Sequence, residues 1–215
     1  MDIVNPAIEA YATAHSSAVS ANLEQVATRT RAEHRDAGMM VGRLEGAFLE
    51  MLVHAVKAKV VLEIGTFTGY SAISMAAALP AGGRVITCEV DPEHAAHARA
   101  NIDASGLADR IELREGPALA TVTSLEGPFD LVFIDADKAG YAAYYEAVLP
   151  KLSDHGLIAA DNTLRDGEVL EASPESAGTR AIQAFNDQVV ADPRVRCALL
   201  TVRDGVTLIR RLASA

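Results

Sequence analysis

The chain has 215 residues, half of them apolar and 22% charged, with a net charge of -10. That balance excludes a disordered or fibrous chain, and the length suits one large α/β domain or two small ones. An acidic excess of this size repels phosphate backbones and no run of lysines or arginines offsets it, so nucleic acid is not an expected partner.

The N-terminal stretch lacks a basic start followed by an apolar block, so it does not read as a secretory leader. No apolar segment approaches about 18 residues, and a soluble cytoplasmic protein is expected. Residues 5–35 read as one amphipathic helical region, with Ile8, Tyr11, Ala12 and His15 on one face and Leu23, Val26, Ala27 and Thr30 on another. The stretch DAGMMVG, 36–42, breaks it. Residues 44–57 form a second helical unit with Leu44, Phe48, Met51, Leu52 and Ala55 at helical spacing.

From there strand and helix alternate. VVLEI (60–64) is a strand and 70–79 a helix; RVITCE (84–89) is a strand, and the next helix opens at Asp91-Pro92 and closes at Gly106. RIELRE (110–115), FDLVFI (129–134) and GLIAAD (156–161) are strands, with helices over 117–125, around 140–150 and over 175–191. The end reads as two alternating runs about Asp204-Gly205, a hairpin. Repeated strand–helix units imply a mostly parallel sheet with helices on both faces, plus an antiparallel edge. The expectation is one domain over 1–215, with residues 1–43 a helical extension and 44–215 the core. Cys88 and Cys197 lie in strand-like runs and read as buried small hydrophobes.

EIGTFTGYS (63–71) joins the first strand to its helix, where doubly wound sheets bind nucleotides. Gly65 and Gly69 permit a tight turn and close approach of a ligand. A dinucleotide fingerprint needs a middle glycine so that pyrophosphate can touch the backbone, and Phe67 stands in its place. Glu63 would repel a phosphate and suits an amino group. Glu89 ends the second strand, where an acid takes the ribose hydroxyls of an adenosine. Each feature alone has a purely structural reading; the ordered set points to S-adenosylmethionine, an adenosine with an amino-acid tail and no phosphate.

LVFIDADKAG (131–140) carries an apolar strand straight into Asp135, Asp137 and Lys138. The next strand ends in Asp161 followed by Asn162. Adjacent strands lie about 4.8 Å apart, so Asp135 and Asp161 would face one spot. Two carboxylates and an amide oxygen make a hard-oxygen site for Mg²⁺, with Mn²⁺ and Ca²⁺ as other candidates. The alternative is a solvated turn at DADK and a capping pair at Asp161-Asn162. Lys138 is either a rim charge pairing with Asp137 or a group aimed at a substrate oxygen. His94 and His97 read as a solvated helix face, and His15, His34, His54 and His155 have no partner in the pattern.

At these residues the chain resembles the cation-dependent O-methyltransferases of the catechol and caffeoyl-CoA type. The matching stretches are EGAFLEML (45–52), VLEIGTFTGYS (61–71), REGPAL (114–119), DLVFIDADK (130–138), DNTL (161–164) and DGVTLIRR (204–211). The resemblance implies a seven-stranded Rossmann-like fold, a homodimer and a small phenolic acceptor with vicinal hydroxyls. It implies that Asp135, Asp161 and Asn162 hold the ion, with Lys138 catalytic beside Asp135. Val41, Glu63, Gly65, Thr66, Ser71, Glu89, Ala118, Asp135 and Asp137 would bind S-adenosylmethionine, Val41 from a gating segment over 36–44. The chain departs from plant members at Arg165, where they carry Trp, and at Asp166, so the acceptor's identity does not carry over. An NAD-dependent oxidoreductase, a non-catalytic binding protein of the same fold and a metal-free methyltransferase are the rival readings.

Overall fold

The structure, a computed structural model, describes residues 3–212. Seven strands form one sheet: β1 (Val60–Ile64), β2 (Arg84–Glu89), β3 (Ile111–Glu115), β4 (Phe129–Ile134), β5 (Leu152–Ala160), β6 (Val195–Leu200) and β7 (Val206–Arg211), in the order β3-β2-β1-β4-β5-β7-β6. The first five pair in parallel, and β7 runs antiparallel to both β5 and β6. This is the mostly parallel sheet with a C-terminal hairpin that the alternation predicts. β1, β2 and β4 have the predicted bounds. β5 starts four residues earlier than predicted, at Leu152, because its first half bulges past β4. Gly156 permits that bulge: a Cβ there would stand 2.8 Å from the Phe129 carbonyl oxygen.

The helices are α1 (Pro6–Ala14), α2 (Ala21–Glu33), α3 (Gly42–Ala55), α4 (Tyr70–Ala78), α5 (Pro92–Ala104), α6 (Ala118–Ser124), α7 (Tyr141–Val148) and α8 (Ala177–Ala191). Successive strand residues point to opposite faces. Val61, Leu131 and Phe133 join one core with Leu23, Leu49 and Ile73. Leu62, Ile64, Val132 and Ile134 join the other with Tyr141, Tyr145 and Phe185. Both layers are dry, which is why these strands read as unbroken apolar runs. Among the described residues, no helix is long and apolar enough to cross a membrane.

Two helical readings need correction. Residues 5–35 are two helices, split where Ser20 caps α2 by accepting the Leu23 amide at 3.3 Å. The predicted second face is buried as expected, but α1 buries nothing, with Ile8 and Tyr11 exposed. In α3 the inward residues are Glu45, Gly46, Leu49, Leu52 and Val53; Met51 is 64% exposed. The apolar count missed this face because Glu45 lies on it.

The chain leaves β1 toward β2 and β3, then returns to lay β4 on β1's other side. A crevice opens there, at the carboxyl ends of the strands.

Candidate active site

The first wall of the crevice is built from backbone. Gly65 has φ +100°, and a Cβ on it would stand 1.9 Å from the Asp135 carbonyl oxygen, so only glycine lets β1 and β4 release their chains side by side. Gly69, left-handed at φ 88°, starts α4. Glu89 gathers the loop: Oε2 accepts the amides of Thr66 (3.2 Å) and Phe67 (2.7 Å), and Oε1 those of Val90 and Asp91 (both 3.0 Å). Asp91 then caps α5, accepting the amides of Glu93 at 2.8 Å and His94 at 3.1 Å. Glu63 lies behind this wall, fully buried, and accepts the Thr87 hydroxyl at 2.5 Å. Burial pushes its carboxyl up to about 8, so it is protonated at neutral pH.

The second wall is built from side chains. β4 and β5 end in register at Ile134 and Ala160, and the Asp161 amide bonds to the Ile134 carbonyl at 2.9 Å. Asp135, Asp161 and Asn162 therefore leave adjacent strands at the same height. Lys138, in the turn after β4, donates from Nζ to Asp135 Oδ1 (3.2 Å), Tyr141 Oη (2.7 Å) and Asn162 Oδ1 (2.8 Å). All its donors are engaged, and Asp137 is not the partner; Asp137 Oδ1 instead accepts the Tyr144 hydroxyl at 2.5 Å. Asp161 is 3% exposed; no N–H or hydroxyl donor reaches its Oδ1, and the Glu45 carboxyl is its side-chain neighbour. Burial raises its pKa well above the usual carboxylate range, with the charges of Glu45 and Asp135 adding to the effect.

Behind Asp161 stands Glu45, 1% exposed and paired with Arg203 Nη1 at 2.8 Å. Burial pushes Glu45 up to about 7, against the pull of Arg203. Arg203 also donates to the Val41 carbonyl, which ties the hairpin turn to the start of α3. The stretch EGAFLEML (45–52) gives Glu45 no legible role, and nothing in the sequence singles out Arg203. Each is explained by the other, 158 residues away.

The two walls enclose a cavity of about 830 Å³, within the range of small-molecule sites. Val41, Gly65, Thr66, Ser71, Glu89, Ala118, Asp135, Asp137, Lys138, Asp161 and Asn162 all line it; Glu63 alone of the sequence-predicted residues does not. Met39, Met40 and Val41 also line it, so the 36–44 segment is part of its wall.

The histidines differ from expectation. His34 packs against His97 (ring centroids 4.2 Å apart) and His94 (5.7 Å), and Phe67 stacks edge-on to His94 at 4.8 Å. His155 pairs with Asp130 at 3.1 Å, and His15 stacks on Tyr11. The contacts among His34, Phe67, His94 and His97 are made between the end of α2, the glycine loop and α5, so helical spacing within α5 could not foretell them. Cys88 is buried as expected, whereas Cys197 is only partly so.

Among the described residues, no group of three or more His, Cys, Asp or Glu is arranged to hold a metal. The set at the second wall is two carboxylates and an amide. Two of its oxygens converge on one cation, the Lys138 ammonium, and a third, Asp161 Oδ1, is buried without a donor. Oxygen donors so arranged fit a hard cation.

A sheet of this order, with a glycine turn after β1, an acid ending β2 and no middle glycine for a pyrophosphate, defines the Rossmann-like methyltransferase class. The comparisons narrow the class. The chain belongs to the O-methyltransferase family, whose pattern matches residues 13–212. It is 42% identical over 179 residues to a catechol O-methyltransferase of Niastella koreensis, covering 81% of this chain and 80% of that one. It is 38% identical over 181 residues to a caffeoyl-CoA O-methyltransferase of Eucalyptus globulus, covering 79% and 73%. Among solved structures, an SAH-bound methyltransferase of Podospora anserina superposes with a TM-score of 0.91 at 33% identity, covering 97% of this chain and 95% of that one. An O-methyltransferase of Bacillus cereus in complex with SAH gives 0.87 at 35%, covering 94% and 96%. The protein is thus an enzyme of methyl transfer to oxygen, and the oxidoreductase reading falls away.

Proposed function

We propose that the enzyme moves a methyl group from S-adenosylmethionine to one hydroxyl of an aromatic vicinal diol, with a divalent cation, Mg²⁺ foremost, held by Asp135, Asp161 and Asn162. The observation that carries this is the buried Asp161 Oδ1, which no N–H or hydroxyl donor reaches, beside the oxygens gathered at Lys138. The relatives named for catechol and caffeoyl-CoA support the acceptor class.

The cofactor's adenosine is assigned to the backbone-built wall, with its ribose at Glu89 and its adenine near Ala118. Val41, Gly65, Thr66, Ser71 and Asp137 surround the rest. Glu63, neutral and behind the wall, supports the loop through Thr87 and Thr66, whose hydroxyls lie 2.5 Å apart. When bound, the cation supplies Lewis acidity that favours an ionised phenol. Lys138 holds an ammonium where the acceptor oxygen carries its negative charge and so stabilises the phenolate. Tyr141 fixes that ammonium: its hydroxyl accepts from Nζ and donates to the Asp161 carbonyl at 2.9 Å. The phenolic proton passes to solvent, the O–C bond forms as the S–C bond breaks, and the sulfonium becomes a neutral thioether. Opposite charges combine in this step, so exclusion of water from the cavity assists it. The chain's larger contribution is alignment of oxygen, methyl carbon and sulfur.

The test is methyl transfer from labelled S-adenosylmethionine to a simple catechol, before and after chelation. Turnover that chelation abolishes and Mg²⁺ restores supports the reading; turnover untouched by chelation removes the cation from it. A cytoplasmic homodimer is the assembly proposed, checked by light scattering.

A further inference from the structure

We propose that the methyl acceptor carries a carboxylate on its ring or on a short side chain, and that Arg165 binds it. The inference rests on the methyl-transfer reading above and specifies its substrate.

Three cations line the cavity: Lys138, Arg203 and Arg165. Two are committed to the chain. Lys138 donates to Asp135, Tyr141 and Asn162, and Arg203 to Glu45 and the Val41 carbonyl. Arg165 is different: it is half-buried, and its Nε is buried without a hydrogen-bond partner. A buried charged donor without an acceptor is costly, and unlike the equally unpartnered Arg43 Nε this one belongs to a residue that lines the cavity, where a ligand can answer it. A carboxylate fits best, because two parallel N–H bonds from the planar guanidinium match its two oxygens.

The loop that presents Arg165 is held in a costly conformation. Arg165 and Asp166 both have positive φ, 48° and 51°, a region disfavoured for side-chain-bearing residues. Bonds to the hairpin turn enforce it: Thr163 N to the Gly205 carbonyl (3.0 Å), Leu164 N to that of Asp204 (2.9 Å), and Asp166 N to Asp204 Oδ1 (2.6 Å). The Asp204 carboxylate, which feels Arg165's charge, thus serves the loop. Arg165 Nη2 and Lys138 Cβ both lie beside Gly178, at the start of α8: a Cβ there would stand 3.7 Å from the first and 3.9 Å from the second. An acceptor with its hydroxyls near Lys138 therefore has its substituent within reach of Arg165.

The test uses dihydroxyphenylacetate with vicinal hydroxyls and its primary amide, a neutral analogue of nearly the same shape. In the wild-type enzyme kcat/KM should favour the carboxylate by about tenfold or more, mainly through KM, as one charge-assisted pair of about 1.4 kcal/mol requires. Arg165→Gln should bring the ratio toward one, and Arg165→Lys should retain part of it. Methylation of both acceptors at similar efficiency by wild type overturns the inference and leaves the methyl-transfer reading standing. Methylation of neither, with Mg²⁺ present, removes both. Equal losses on the two acceptors in Arg165→Gln reduce Arg165 to a structural role and overturn it too. Tm and S-adenosylhomocysteine binding of the variants show that they fold; for one that does not, the wild-type ratio decides.

Discussion

The two walls of the cavity are opposites. At the tips of β1 and β2 the cavity-facing acid is satisfied: Glu89 holds backbone amides with both oxygens, while Glu63, whose buried Oε1 also has no partner, lies behind the loop and not in the cavity. At the tips of β4 and β5 they do not: Asp161 Oδ1 is buried without a donor, next to oxygens that share a single ammonium. On its cavity face the first wall is finished as folded. The second keeps a buried acceptor without a donor in the cavity itself, which is where chemistry is expected.

If that contrast holds, substitutions at the second wall should affect turnover and those at the first should affect binding. Asp161→Ala should have the largest effect, lowering kcat by about 10³-fold or more and abolishing divalent-ion binding in calorimetry, since Lewis-acid stabilisation of a developing anion contributes several kcal/mol. Lys138→Ala should lower kcat by about 10²-fold, with S-adenosylhomocysteine affinity changing far less. Glu89→Gln should act the other way, weakening S-adenosylhomocysteine binding by about tenfold or more, because bonds from amides to a charged carboxylate contribute about 1.5–3 kcal/mol. A kcat loss without that change in affinity would erase the distinction between the walls.

The last effect is a pH dependence of stability, shared by the burial-raised carboxyls Glu63, Glu45 and Asp161, from which the Glu63 part is separable by substitution. The Glu63 carboxyl lies near 8 in the folded chain against an ordinary value of 4.5. Between those values the unfolded chain binds fewer protons than the folded one, so stability is fully present below the lower value and is lost as pH rises through the upper one. Denaturation midpoints of wild type should fall from pH 5 to 8, and Glu63→Gln, which cannot ionise, should flatten that slope; parallel profiles would place the titration elsewhere.

The strands were legible because a parallel strand buried on both faces is an apolar run with polar residues at its end, and Asp135, Asp161 and Glu89 mark such ends. The same rule located most of the candidate site, since ligands bind where those ends meet. What stayed hidden depends on distant pairing. Glu45 turns the α3 face inward only because Arg203 supplies its partner, and the histidine contacts need α2 folded back over α5. Glu63 reads as a ligand contact, but its position two residues before Gly65 does not distinguish the cavity wall from the layer behind it. The break at Ser20 rests on a single cap within a helical composition.

The central claim is that the second wall holds a cation beside the bound cofactor. Crystals grown with Mn²⁺ and S-adenosylhomocysteine test it most directly, by anomalous scattering recorded at the manganese edge. The account predicts one strong peak per chain, in contact with Asp135, Asp161 and Asn162. A cavity holding S-adenosylhomocysteine with no anomalous peak among those oxygens would contradict it.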